Sequence, residues 1–229
     1  MRIDFPKKEQ VPALRQLWKE AFGDSDAFLD HFFATAFACR RCRVLADGDE
    51  AAAALYWFDC EAYGEKYAYL YAVATAEHRR GQGLCRALME DTEKFLVARG
   101  YAGVILVPGD AGLSKMYGKM GYVHFGGREN VATEKTESLT KVDTACYAAL
   151  RRNLLPPGGV IQEKENLAFL EGLADFFAGE DAVVTVSRET GEILERLEKG
   201  QSFSGKEPFA MCKLFKPGQM PEYFGFSFG

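Results

Sequence analysis

Along residues 1–126 the apolar side chains recur at two spacings, and the alternation between the two predicts the elements. Arg2 to Phe5 reads as a short strand. Val11, Leu14, Leu17, Trp18, Ala21 and Phe22 fall at helical spacing, and Gly23 supplies a C-terminal stop. Asp24 or Ser25 can cap a second helix with the stripe Phe28, Leu29, Phe32, Phe33 and Phe37. Arg43 to Ala46 and Ala51 to Cys60 look like strands joined by the turn Asp47-Gly48-Asp49. Tyr67 to Ala74 alternates with period two, which predicts a strand carrying Tyr67, Tyr69, Tyr71 and Val73 on one face. A helix follows with Leu84, Leu88, Phe95 and Leu96 inward and Arg86, Glu90, Glu93 and Lys94 toward water, closed by Gly100. Val104 to Val107 is apolar throughout, as a strand buried on both faces is. Leu113 to Met120 then reads as a short helix and Tyr122 to Phe125 as a strand.

The order is thus β-α-α-β-β-β-α-β-α-β, with a parallel pair and a right-handed crossover within residues 67–107. Beyond residue 130 the pattern loosens. Glu134 to Asp143 is polar and linker-like, Tyr147 to Leu154 is helical, and Pro156-Pro157-Gly158-Gly159 breaks the chain. Leu167, Leu170, Leu173, Phe176 and Phe177 predict another helix. Ala182 to Ser187 predicts a strand, Ile193, Leu194 and Leu197 a helix, and 209–215 and 223–228 two closing strands. Residues 1–130 therefore form one expected domain and 131–229 a smaller α+β domain.

Composition narrows the partners. Apolar residues make up 48% and charged residues 27% of 229, as in ordinary globular chains. A net charge of −5 argues against nucleic acid, whose phosphates need clustered Lys and Arg. No apolar run approaches the roughly 18 residues of a membrane span, and Met1 to Pro6 shows no secretory h-region, so the cytoplasm is the expected location. Six cysteines read as reduced thiols. Cys39 and Cys42 have CxxC spacing, but no second pair completes a zinc set, and a strand follows where a redox dithiol needs a helix.

The chemistry sits after the Tyr67 to Ala74 strand. There His78-Arg79-Arg80-Gly81-Gln82-Gly83 runs straight into a helix at Leu84. First-turn amides lack intrahelical partners and the helix dipole is positive there, which makes an anion site. Gly81 and Gly83 let a diphosphate approach the backbone without a Cβ in the way. A dinucleotide loop would need Gly or Ala at position 86, where Arg86 stands, and a P-loop would need Gly-Lys-Ser/Thr.

With these motifs the sequence resembles the GCN5-related N-acetyltransferase family over about residues 1–126. The strand ending Tyr71-Ala72-Val73, the loop His78 to Leu84, and Met116-Tyr117-Gly118-Lys119-Met120-Gly121-Tyr122 occur in the family's order and spacing. The resemblance implies an α/β fold of the acyl-coenzyme A N-acyltransferase type, built on a mixed sheet, with the smaller C-terminal α+β domain beside it. It implies acetyl-coenzyme A as cosubstrate and a primary amine of a small molecule or peptide as acceptor. Backbone amides of Arg79, Arg80, Gly81, Gln82, Gly83 and Leu84 would hold the pyrophosphate. Tyr71, Ala72 and Val73 would bind the pantetheine arm and polarise the thioester carbonyl. The amine attacks directly in this family, and Tyr117 would protonate the departing thiolate. A core tyrosine with a satisfied hydroxyl is the structural alternative for Tyr117.

Three positions depart from the family's pattern. His78 replaces the usual Gln or Arg. Asp110 stands where many members have Asn, and as a hydrogen-bond acceptor beside the cofactor arm it adds negative charge. Tyr67 and Ile105 occupy the positions where some members place a basic glutamate. The general base is therefore open among Asp59, Glu61, Glu65 and a water relay, and the missing glutamate admits a second function, a non-catalytic acyl-coenzyme A-binding regulatory module. The run 182–215, read as strand, helix and strand, looks like the middle of a degenerate second copy whose cradle is gone, since only Gly191 lies between Val186 and Ile193. Such a half would wall the acceptor pocket or make the subunit contact of a homodimer.

Overall fold

In the computed structural model, residues 2–48, 50–127, 139–201 and 208–228 are described. The first half runs β1 (Arg2–Asp4), α1 (Val11–Phe22), α2 (Asp26–Thr35), β2 (Cys42–Asp47), β3 (Glu50–Ala62) and β4 (Glu65–Thr75), then α3 (Leu84–Ala98), β5 (Gly103–Leu106), α4 (Ala111–Gly118) and β6 (Val123–Gly127). Local chemistry sets the boundaries. Gly23 ends α1 in a left-handed conformation at φ 74°, and its N–H bonds the Lys19 carbonyl. Ser25 starts α2, its hydroxyl accepting from the Phe28 N–H at 3.2 Å.

The second half contributes β7 (Thr140–Val142), α5 (Thr144–Leu154), α6 (Glu165–Leu173), β8 (Ala174–Ala178), β9 (Ala182–Ser187), β10 (Ile193–Glu198) and β11 (Pro208–Leu214). Three expectations are corrected here. The predicted helix over Leu167 to Phe177 stops at Leu173, and Ala174, Phe176 and Ala178 then alternate inward as β8. The predicted helix over Ile193 to Leu197 is strand β10, because the inward pair is Glu195 and Leu197, and an apolar pattern does not register a buried glutamate. Among the described residues, the predicted strand 223–228 belongs to neither sheet, and an isolated bridge joins Tyr223 to Gly159. At its middle a side chain takes the place of a strand partner: Gln162 Nε2 donates to the Phe226 carbonyl at 2.9 Å and Oε1 accepts from the Phe226 N–H at 3.2 Å. Most of the predicted linker Glu134 to Asp143 lies outside the described residues, and its end forms β7.

Among the described residues, seven strands form one sheet in the order β1-β2-β3-β4-β5-β11-β6, and four form a second in the order β10-β9-β8-β7. The β4–β5 pair is parallel, as the crossover requires. A boundary at residue 130 leaves β11 beyond it in sequence but between β5 and β6 in the first sheet. The second sheet is antiparallel throughout. Its run β7-α5-α6-β8-β9-β10 has the connectivity of β1-α1-α2-β2-β3-β4, so the likeness between halves lies in these elements and not in the predicted strand, helix and strand of 182–215.

Two cores flank the large sheet. Leu14, Trp18, Leu29 and Phe32 of α1 and α2 pack with Tyr56, Phe58 and Tyr69 on one face, joined by Phe169, Phe224 and Phe228. Leu88, Met89 and Leu96 of α3 and Tyr117 of α4 pack with Leu55, Trp57 and Leu70 on the other. Glu93, expected on the wet side of α3, is buried at 8% exposure. It is held there by two donors, the Tyr122 hydroxyl at 2.8 Å and Lys213 Nζ at 2.6 Å.

Candidate functional site

Strands β4 and β5 part company halfway along. They pair at Tyr67 with Gly103, Ala68 with Val104 and Tyr69 with Ile105; β5 then ends at Leu106 while β4 continues to Thr75. Tyr71, Ala72 and Val73 therefore have no β5 neighbour and border a gap. On the β3 side Tyr71 pairs with Tyr56 and Ala74 with Ala54, so Ala72 and Val73 together oppose one residue, Leu55. This bulge puts Ala72 at φ 47°, a left-handed conformation that costs a non-glycine residue about 1–3 kcal/mol. It also shifts the alternation by one. Tyr67, Tyr69 and Tyr71 share the α1–α2 face as expected, but Val73 packs on the α3 face.

The loop between β4 and α3 is open. Gly81 and Gly83 adopt φ 75° and 76°, and a Cβ on either would meet nothing within 4 Å. The conformation, and not lack of space, is what favours glycine there. Among the described residues, the backbone N–H groups from Gly81 through Arg86 donate to no protein oxygen. They line an exposed turn at the N-terminus of a 15-residue helix. Two of the expected amides differ. The Arg79 N–H bonds the Ala76 carbonyl at 2.9 Å and the Arg80 N–H bonds the Glu77 carbonyl at 3.1 Å, because the chain makes a 3-10 turn there. The Arg79 guanidinium is likewise engaged, by Asp47 and Glu50 of the β2–β3 hairpin, whereas Arg80 is exposed and its Nε donates to the Thr75 carbonyl at 3.3 Å. His78 pairs with Glu50 at 3.0 Å.

Tyr117 projects from α4 into the same region. Its ring is buried, 5.7 Å from that of Tyr122, and its hydroxyl has no hydrogen-bond partner among the described residues. Burial raises its pKa above the ordinary tyrosine value, and Cys85 in the first turn of α3 and Asp110 add to the rise. The phenol therefore stays protonated near the N-terminus of α3. Asp110 itself caps α4, its Oδ1 accepting from the Leu113 N–H at 2.8 Å.

The carboxylates considered for a base lie elsewhere. Asp59 opposes Ala68, Glu61 opposes Lys66, and Glu65 begins β4, so they sit about 10–20 Å back from Tyr71 at roughly 3.3 Å per residue. Asp59 accepts from the Tyr101 hydroxyl at 2.5 Å, and Glu65 pairs with Lys216 at 2.9 Å. A different carboxylate, Asp24 in the turn between α1 and α2, lies near Tyr71 and adds to the rise of its phenol, after burial and Tyr69. Of the two cap candidates for α2, Ser25 takes that role and Asp24 does not.

A parted parallel strand pair, a bulge at its mouth and an open glycine loop beside a buried phenol fit the acyl-coenzyme A N-acyltransferase fold. The family model for the acetyltransferase (GNAT) domain matches residues 2–125, so the chain belongs to that family. No curated protein sequence matches it. Among solved structures it is similar to a GCN5-related N-acetyltransferase from Kribbella flavida (17% identity, TM-score 0.64, covering 87% of this chain and 57% of that one). It is also similar to Eis1 from Mycobacterium abscessus (13% identity, TM-score 0.63, 88% and 60%). A third similar structure is a protein from Pyrococcus horikoshii (10% identity, TM-score 0.67), where the likeness covers 98% of this chain and 93% of that one. The chain thus spans less than two thirds of the first two structures, and these likenesses are of fold. Among the described residues no helix is long and apolar enough to cross a membrane.

Proposed function

We propose that the chain transfers an acetyl group from acetyl-coenzyme A to a primary amine of a small molecule or peptide, by direct attack and without a covalent enzyme intermediate. The observation that carries this reading is the row of unengaged N–H groups from Gly81 through Arg86, at the N-terminus of α3 and beside the β4 bulge. Those amides, with Arg80, fit a pyrophosphate. Tyr71, Ala72 and Val73 fit the pantetheine arm, since a strand edge released from pairing offers N–H and C=O groups to an extended amide chain. Asp110 keeps its cap while its second oxygen can accept from that arm. Bound there, acetyl-coenzyme A supplies a thioester whose carbonyl an amide of the bulge polarises. The new N–C bond forms as the C–S bond breaks, the amine sheds a proton to water, and Tyr117 donates its hydroxyl proton toward the departing sulfur and regains one from solvent.

Tyr67 and Ile105, where a basic glutamate stands in some members, are buried at 2% and 0% exposure. That observation favours a second reading, an acyl-coenzyme A-binding module without turnover. Free-thiol release across a panel of primary amines separates the two. Release that depends on both acetyl-coenzyme A and an amine is expected. Saturable binding of acetyl-coenzyme A with no release above hydrolysis for any amine would leave the binding module.

A further inference from the structure

Asp47 and Glu50 stand directly opposite each other at the end of the β2–β3 ladder. Two like charges in that position repel, and the hairpin needs a cation between them. The glycine loop supplies it. Arg79 Nη2 donates to Asp47 Oδ2 and, at 3.4 Å, to Glu50 Oε2, while His78 Nε2 lies 3.0 Å from Glu50 Oε1. The same 3-10 turn, Glu77–Arg79, is tied from α1 as well, where Glu20 Oε1 accepts from the Glu77 N–H at 2.5 Å. Just before it, the Ala76 N–H bonds the Ala52 carbonyl of β3 at 3.0 Å. Residues 76–80 are therefore held by β3, by the hairpin, by α1 and by their own turn, and the unengaged amides begin at the next residue, Gly81.

A row of amides binds an anion well only if it is already in place, because ordering a loop on binding subtracts from affinity. Gly81 and Gly83 make that ordering costlier, since glycine loses the most backbone freedom. An isolated exposed ion pair contributes little to stability, but pairs that fix one turn from two sides contribute position. We infer that Asp47 and Glu50 are positioning residues for the cofactor, which by holding Arg79 and His78 keep the amides from Gly81 through Arg86 arranged as a preformed diphosphate seat. The inference rests on the reading of that loop as the acetyl-coenzyme A site. It also carries a sign that charge alone does not. Two carboxylates beside an anion site weaken binding through their field, so their removal should tighten it; a clamp predicts that their removal weakens it.

Calorimetry with coenzyme A gives Kd without requiring turnover, on wild type and on the double variant Asp47→Asn/Glu50→Gln, which keeps both side-chain shapes. Kd is expected to rise about tenfold in the variant, and in kinetics the loss should appear in KM for acetyl-coenzyme A and not in kcat at saturation. A charge swap separates position from charge: Arg79→Glu alone should weaken binding at least as much, and Arg79→Glu with Glu50→Arg, which restores the summed charge and a pair across the same gap, should return Kd to within about threefold of wild type. Should the double variant fail to fold, the swap carries the test by itself. A Kd that falls or stays the same in Asp47→Asn/Glu50→Gln, or a swap that binds no better than Arg79→Glu, overturns the inference while leaving the cofactor reading in place. Absence of coenzyme A binding to wild type sinks that reading and the inference with it.

Discussion

Tyr117→Phe is expected to lower kcat about 100-fold while leaving acetyl-coenzyme A affinity unchanged. The buried ring packs against Tyr122, and phenylalanine keeps that packing. Only the hydroxyl is lost, and it has no partner among the described residues whose loss would disturb the fold. The magnitude follows from the pKa order. Burial keeps the phenol above its ordinary value of 10.0, and a thiol ordinarily titrates at about 8.5. On the proposed mechanism full proton transfer to the sulfur is therefore uphill, and the phenol would act mainly by sharing its proton as charge develops, at the low end of what general acids contribute. The sign of the shift also predicts a pH profile. A raised pKa preserves the protonated form to higher pH, so no falling limb from Tyr117 appears below about pH 10, whatever other groups do. Steady-state kinetics from pH 7 to 10 check both points. A variant with wild-type kcat would show that Tyr117 is a packing residue.

Glu195→Ala is expected to destabilise the chain by about 3–5 kcal/mol in urea unfolding, the range for stranding one member of a buried ion pair. Both oxygens of Glu195 are doubly engaged. Oε2 accepts from the Tyr147 hydroxyl at 2.6 Å and Arg151 Nε at 2.7 Å, while Oε1 accepts from the Arg151 NH2 and the Tyr223 hydroxyl, both at 2.8 Å. Burial disfavours the Arg151 charge, but Glu195 more than offsets it and the net pKa is raised. Alanine would remove the carboxylate that accepts from Arg151 and from the Tyr147 and Tyr223 hydroxyls in the core. The loss also bears on the candidate site, because Tyr223 begins the buried segment whose Phe228 carbonyl accepts from Tyr71. Glu195→Gln should cost less, since it keeps an acceptor. Equal stability of Glu195→Ala and wild type would show that the network is not closed in solution.

The same glutamate explains where the sequence misled. In β10 the inward positions are Glu195 and Leu197, so the period of two is written in a charge and a leucine, and the apolar residues alone suggest a helix. The ion partner that makes burial tolerable, Arg151, is 44 residues away and no local pattern announces it. The β11 insertion is equally nonlocal: Phe209 to Phe215 reads as a strand, but nothing within it names β5 and β6 as neighbours. By contrast the glycine loop, the β4 alternation up to Tyr71 and the α4 tyrosine were legible, because each depends on contacts within a few residues. The exception inside β4 is Val73, displaced by a bulge at an alanine that carries no glycine mark. Asp24 was hidden differently. As a residue type it is indistinguishable from the caps around it until the fold brings Trp18 and Tyr71 beside it.

The central claim is that a diphosphate is gripped by amides around Gly81 and Gly83, and thermal unfolding with acetyl-coenzyme A tests it most directly. At about 100 times Kd, wild type should gain roughly 5–11 °C in Tm, from about 2.7 kcal/mol of mass action. Gly83→Glu, which places bulk and negative charge at a φ of 76°, should remain folded and gain nothing. Equal shifts in the two proteins would place the nucleotide elsewhere and contradict the account.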